Sequence, residues 1–220
     1  MKPLIALNFK TYKESLGERG LALCEIAAGV SMLSGVRIIV APQTVDLREA
    51  AKVCEDVYAQ HVDAIAQGQT TGWITVESLK HAGVKGSLVN HSERRLARDV
   101  IGTTVERLRG AGLESMVCAQ DATETAELAR LKPTFVAIEP PELIGKGISV
   151  STAKPEVVTG AVELARKSAA GVPVLCGAGV STAADVKKAV QLGANGVLLA
   201  SAYVMAKDPK KLLEEIAAAV

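Results

Sequence analysis

Apolar residues along this chain gather in eight short runs, separated by stretches of mixed polarity. The runs are Leu4–Leu7, Arg37–Val40, Val57–Gln60, Ser87–Asn90, Ser115–Cys118, Phe135–Ile138, Val174–Cys176 and Gly196–Leu199. They are nearly continuous in apolar residues rather than alternating, the pattern of strands buried on both faces of a parallel sheet.

The segments between them read as helices. Asp121 with Glu124, and Thr182 with Asp185, have the spacing of a capping box. Asp208 before Pro209 places a good cap ahead of a proline suited to a first turn. After it, Leu212, Leu213, Ile216 and Val220 fall on one helical face. Gly112, Gly171 and Gly193 stand where helices must stop before the next strand. Regular alternation of strand and helix predicts an α/β fold around a parallel sheet, either open and doubly wound or closed into a barrel. No GxGxxG follows the first strand, and no linker rich in Pro, Gly or Ser divides the chain. Eight units over 220 residues take about 27 residues each, slightly under the usual size for a (β/α)8 barrel. The expectation is therefore one (β/α)8 barrel domain over residues 1–220, with trimmed loops and helices.

Composition narrows the function. Hydrophobic residues make up 49% of the chain and aromatic residues only 3%, so the core is aliphatic. The net charge of +1 and a pI of about 7.7 leave no basic footprint for nucleic acid, and base-stacking aromatics are scarce. Cys24, Cys54, Cys118 and Cys176 form no CxxC pair and no zinc spacing with the three histidines, so no metal and no cofactor is expected. Four buried thiols suit a reducing cytoplasm. The opening MKPLIALNFK has too short an apolar run for a signal-peptide core or a membrane span.

In a parallel barrel, reactive groups gather at the carboxyl ends of the strands. There this chain has Asn8 and Lys10 after the first strand, and His91, Ser92 and Glu93 after the fourth. Glu139 and Pro140 follow the sixth, Gly177, Ala178 and Gly179 the seventh, and Ala200 and Ser201 the eighth. Proton abstraction beside a carbonyl needs such a set: a base, a donor to the carbonyl oxygen and fixed positive charge for the enediolate. Small-residue turns after the last two strands offer backbone N–H groups to a phosphate. Singly, each position has a plainer reading: a solvated lysine, a turn glutamate, a tight Gly-x-Gly turn. Their convergence on one rim favours the chemical reading.

These residues also sit in longer motifs. Asn8-Phe9-Lys10 resembles the first-strand motif of triosephosphate isomerases, and Asn90-His91-Ser92-Glu93-Arg94-Arg95 their histidine motif. Residues 138–147, from Ile138-Glu139-Pro140 to Gly145-Lys146-Gly147, are similar to the family's base and closing lid. Cys176-Gly177-Ala178-Gly179-Val180 and Leu198-Leu199-Ala200-Ser201 are similar to its phosphate turns. Tyr58-Ala59-Gln60 and Thr71-Gly72 resemble its third strand and interface loop. The match runs in order from residue 4 to about residue 205; Asn90 and the short chain look most like the archaeal branch.

The resemblance implies a substrate, small phosphorylated trioses, and a role for each residue. Glu139 moves the proton, His91 donates as a neutral imidazole, Lys10 supplies charge, Asn8 orients the substrate, and Glu93 keeps Lys10 and His91 in register. N–H groups of Gly145, Gly179, Ala200 and Ser201 hold the phosphate, with Ile144 in a lid that includes Pro140, Pro141, Lys146 and Gly147. Ser92-Glu93 is expected to open a helix directly after His91, where a cation is disfavoured. Family members are oligomers, which implies a homodimer or homotetramer with Thr71 reaching a neighbour's site.

Two positions depart from the family pattern. Lys146 replaces a lid threonine, which predicts altered lid kinetics with chemistry retained, and Trp73 stands where an acidic residue is frequent. His61 is expected to make a packed polar contact, His81 to lie on the surface, and Cys118 and Cys176 to be inert. Arg94, Arg95, Arg98, Arg107 and Arg109, interleaved with Glu93, Asp99 and Glu106, read as a salt-bridged helix face. The rival readings are another phosphate-binding barrel enzyme, such as a sugar-phosphate epimerase, and a catalytically dead barrel used as a binding module.

Overall fold

The computed structural model describes residues 2–143 and 148–220. The strands are β1 (Leu4–Asn8), β2 (Ile38–Ala41), β3 (Tyr58–Ala59), β4 (Gly86–Val89), β5 (Glu114–Ala119), β6 (Phe135–Ile138), β7 (Val174–Cys176) and β8 (Gly196–Leu199). They pair in parallel in the order β2-β1-β8-β7-β6-β5-β4-β3. The two ends of that order meet through a parallel bridge between Val40 and Val57, and the Val40 N–H donates to the Asp56 carbonyl at 2.9 Å. The sheet is thereby drawn into a nearly closed barrel. The third strand is shorter than its apolar run: the ladder covers only Tyr58 and Ala59, and the Gln60 side chain instead donates to the carbonyls of Lys10 and Ala41.

Helices cover the outside: α1 (Glu18–Ser34), α2 (Leu47–Val53), α3 (Val76–Ala82), α4 (Arg98–Gly110), α5 (Ala122–Ala129), α6 (Val150–Ala153), α7 (Pro155–Ser168), α8 (Ala183–Gln191), α9 (Ser201–Val204) and α10 (Pro209–Ala217). The continuous apolar runs now have their cause. On β1, Ile5 and Leu7 pack under the helices while Leu4 and Ala6 fill the barrel interior. Both faces of each strand are buried, so the runs are nearly continuous in apolar residues, with only small or end-of-strand polar exceptions such as Ser87, Ser115 and Asn8.

Local signals set the helix ends. Thr182 and Asp185 form a reciprocal capping box on α8, and Asp208 accepts the Lys211 N–H at the start of α10. Asp121 caps α5 through the Glu124 N–H, but the Glu124 carboxylate reaches back to the Gln120 N–H, so the second half of that box is displaced by one residue. Gly112, Gly171 and Gly193 have positive φ at the helix ends. On α10, Leu213 and Ile216 are fully buried and Leu212 partly so; Val220, expected on the same face, lies past the helix end and is half-buried.

The arginine-rich helix corrects one expectation. Its partners lie on other elements: Arg98 pairs with Glu127 on α5 and Arg107 with Glu77 on α3, while Arg95, in the segment before α4, pairs with Glu124 on α5. Arg109 donates to the carbonyls of Leu131 and Lys132. These ion pairs tie neighbouring helices together instead of lacing one helix face.

At the opposite end from the carboxyl rim, Tyr58, Gly86 and Glu114 share one row of the barrel. A Cβ on Gly86 would lie 2.8 Å from Tyr58 Cζ, so the tyrosine ring crosses the glycine and its hydroxyl reaches the Glu114 carboxylate. Arg37 bridges Glu114 and Asp56, at 2.6 Å to each, above the Phe135 ring. This aromatic and ionic floor closes the barrel where a short β3 leaves little ladder.

Candidate active site

The strands bring Asn8, Lys10, His91, Glu139, Gly179, Ala200 and Ser201 around one cavity of about 330 Å³ at the carboxyl ends. Asn8 ends β1, is 4% exposed, and its Oδ1 accepts the Lys10 N–H at 3.0 Å. Lys10 takes a left-handed backbone (φ +47°), which turns its side chain across the rim. Its Nζ lies 2.7 Å from Glu93 Oε1, and its carbonyl accepts from the Gln60 amide.

His91 and Glu139 face each other. Both are buried, and His91 Nε2 lies 3.4 Å from Glu139 Oε2 without hydrogen-bond geometry. That oxygen and Ser92 Oγ are buried side-chain atoms with no hydrogen-bond partner among the described residues. Buried polar atoms are ordinarily paired, so the unpartnered Glu139 oxygen on the cavity wall points to a group that arrives from outside. Room for the carboxylate comes from Gly177, where a Cβ would stand 3.1 Å from Glu139 Cγ and 3.0 Å from the Leu198 carbonyl oxygen.

Electrostatics suit a base. Burial pushes the Glu139 carboxyl above the ordinary range, and His91, Cys118 and Lys10 pull it part of the way back. Cys118 stands beside the Glu139 carboxylate, and burial together with that neighbouring charge keeps it a thiol. Its partnership with Glu139 is absent from the sequence reading, which treats Cys118 as inert. The signal was its place on an inward-facing row of β5, beside the strand that leads into Glu139.

The helix expected directly after His91 does not form there. Residues 91–94 make a tight turn, with the Arg94 N–H on the His91 carbonyl at 2.8 Å, and α4 begins only at Arg98. The Glu93 N–H donates to His91 Nδ1 at 3.2 Å, which leaves the proton of the neutral ring on Nε2, toward Glu139. One local amide thus selects the tautomer, in place of a helix end.

Gly179 has φ +77°, and a Cβ there would overlap the Ile148 carbonyl oxygen at 1.9 Å, so only glycine fits between the β7 turn and the chain that returns from β6. Ala200 and Ser201 begin the turn into α9. Pro140 and Pro141 lead into a 3-10 turn, where the Leu143 N–H reaches the Pro140 carbonyl. Ile144, Gly145, Lys146 and Gly147 lie outside the described residues. Thr71 is exposed in the loop after β3 and lines no part of its own chain's cavity. His61 contacts Asp63 at 2.9 Å, His81 is exposed on α3, and Trp73 is 56% exposed. Tyr12, Ser181 and Met205 also line the cavity, and no sequence motif singled them out. Among the described residues no group of three His, Cys, Asp or Glu side chains is placed to hold a metal ion.

A profile of the family described as Triosephosphate isomerase matches residues 3–219. The chain is 53% identical to a triosephosphate isomerase of Methanothermus fervidus over 216 residues, covering 98% of this chain and 97% of the relative. It is 48% identical to one from Methanocaldococcus jannaschii (97% and 98% covered) and 50% identical to one from Archaeoglobus fulgidus (97% and 96%). With identity this high over nearly the whole length, and a family profile spanning it, the chain belongs to the triosephosphate isomerase family.

Proposed function

We propose that this chain is an aldose–ketose isomerase that interconverts dihydroxyacetone phosphate and D-glyceraldehyde 3-phosphate through an enediolate, a step of glycolysis and gluconeogenesis. The observation that carries the reading is the buried Glu139 carboxylate, with one oxygen unpartnered, facing His91 Nε2 at 3.4 Å on the rim that also holds Lys10. Glu139 takes a proton from the carbon beside the carbonyl and returns it to the neighbouring carbon. His91 donates from Nε2 to the substrate oxygens, and the Lys10 ammonium offsets the developing negative charge. Asn8 fixes the Lys10 backbone and contacts the substrate. Glu93 holds the Lys10 ammonium by its carboxylate and the imidazole by its amide. The phosphate rests on N–H groups of Gly179, Ala200 and Ser201.

The oligomer is a homodimer or homotetramer. Thr71, Gly72 and Trp73 stand exposed on the loop after β3, and Lys10, His61, His91 and Glu93 line a neighbouring cavity of about 270 Å³. The four free thiols suit the cytoplasm, and no helix among the described residues is long and apolar enough to cross a membrane.

A coupled isomerase assay tests the activity, with sedimentation velocity on the same sample for the assembly. Because the base must be ionised and burial raises its pKa, kcat/KM is expected to fall on the acid side with an apparent pKa above the ordinary glutamate value of about 4.3. Absence of turnover in both directions sinks the reading; an acid limb at the ordinary value sinks the assignment of the base.

A further inference from the structure

Asn90 lies between the end of β4 and His91, with φ +62° and 1% exposure. A left-handed turn by itself is met most easily by glycine, so the turn does not account for the side chain. That side chain makes two hydrogen bonds. Nδ2 donates to the Cys118 carbonyl at 2.9 Å, and Oδ1 accepts the Leu96 N–H at 2.9 Å. The second bond closes residues 90–96 into a ring that contains His91 and the Glu93 amide bonded to its Nδ1. The first fastens that ring to β5. The next carbonyl along β5, that of Ala119, accepts the Glu139 N–H at 2.8 Å. Carbonyls of successive strand residues face opposite neighbours, so β5 anchors the histidine loop through one and the start of the Glu139 segment through the other.

We propose that Asn90 is a positioning residue for the isomerase reaction: its amide sets the loop carrying His91 against β5, and so sets His91 Nε2 relative to the Glu139 carboxylate. The inference rests on the isomerase reading above and deepens it. Displacement of a reacting group by about 1 Å costs on the order of 10²-fold in rate, so a loop freed from β5 is felt in kcat. The phosphate turns after β7 and β8 lie on other strands and keep their hold on substrate.

The test compares wild type, Asn90→Gly, His91→Gln and the double variant. Asn90→Gly keeps the turn and removes both side-chain bonds. It is expected to lower kcat about tenfold or more with KM changed by less than about threefold. In the His91→Gln background the same substitution is expected to cost less than about twofold, since both act through one imidazole. A purely structural role lowers the melting temperature and leaves the two losses multiplicative. The 15N imidazole spectrum gives a readout independent of turnover, with His91 assigned by its disappearance in His91→Gln. Wild type is expected to show one tautomer, protonated at Nε2, and Asn90→Gly a mixture. An Asn90→Gly protein with kcat within twofold of wild type, with fully multiplicative losses, or with the single tautomer retained overturns the inference. A wild type without turnover overturns the isomerase reading, and the tautomer comparison then decides the role of Asn90.

Discussion

Replacing Glu139 with glutamine is expected to lower kcat for triose phosphate isomerisation about 10³-fold, the usual scale for losing a general base, with little change in KM. The glutamine keeps the shape and the place beside Gly177 but cannot accept the proton. Glu139→Asp retains the base and retracts it by one methylene, and a loss on the order of 10²-fold follows from the displacement. Stability moves the other way. A carboxyl whose folded pKa lies above its unfolded value binds its proton more tightly in the native state. Its stabilising contribution is complete below the unfolded value and is lost as pH rises through the folded value. Above the folded value the wild type carries a buried charge, so Glu139→Gln is expected to melt at a higher temperature toward pH 8, with the advantage shrinking toward pH 4. Coupled assays and thermal melts across that range check both halves. Undiminished kcat in the glutamine variant removes Glu139 as the base; an unchanged melting temperature at pH 8 removes the stored cost of its burial.

The second large effect concerns closure of the barrel. Gly196 starts β8 with φ +139°, paired to Leu4 on β1. A Cβ at this position would stand 2.0 Å from the Leu4 carbonyl oxygen and 2.8 Å from its nitrogen, both backbone atoms with no rotamer to yield. Gly196→Ala is expected to cost about 3 kcal/mol or more, combining backbone strain with overpacking between two central strands. Gly35 supplies the control: its φ is +69°, but nothing lies within 4 Å of an added Cβ. Gly35→Ala thus isolates the left-handed cost, about 1 kcal/mol. Urea denaturation of the three proteins separates the terms, and a Gly196→Ala stability within 1 kcal/mol of wild type refutes the overlap.

The sequence by itself determined the eight strands, the helix stops at Gly112, Gly171 and Gly193, and the residues that converge on the carboxyl rim. Three strands, Phe135–Ile138, Val174–Cys176 and Gly196–Leu199, have the bounds of their apolar runs. These features were legible because burial on both faces, a capping carboxylate or hydroxyl, and a left-handed stop each act on residues close together in the chain. Only the tertiary structure decided the pairing of partners far apart. It put the arginines of α4 against α3 and α5, placed Cys118 beside the Glu139 carboxylate, and replaced an expected helix after His91 with a turn held by the Asn90 side chain. Closure of β2 against β3 belongs to the same group: it rests on one bridge at Val40 and Val57. The reason is physical. A side chain's chemistry fixes what it can bond, but the choice among several acceptable partners is made by whichever the packed barrel brings within about 3 Å.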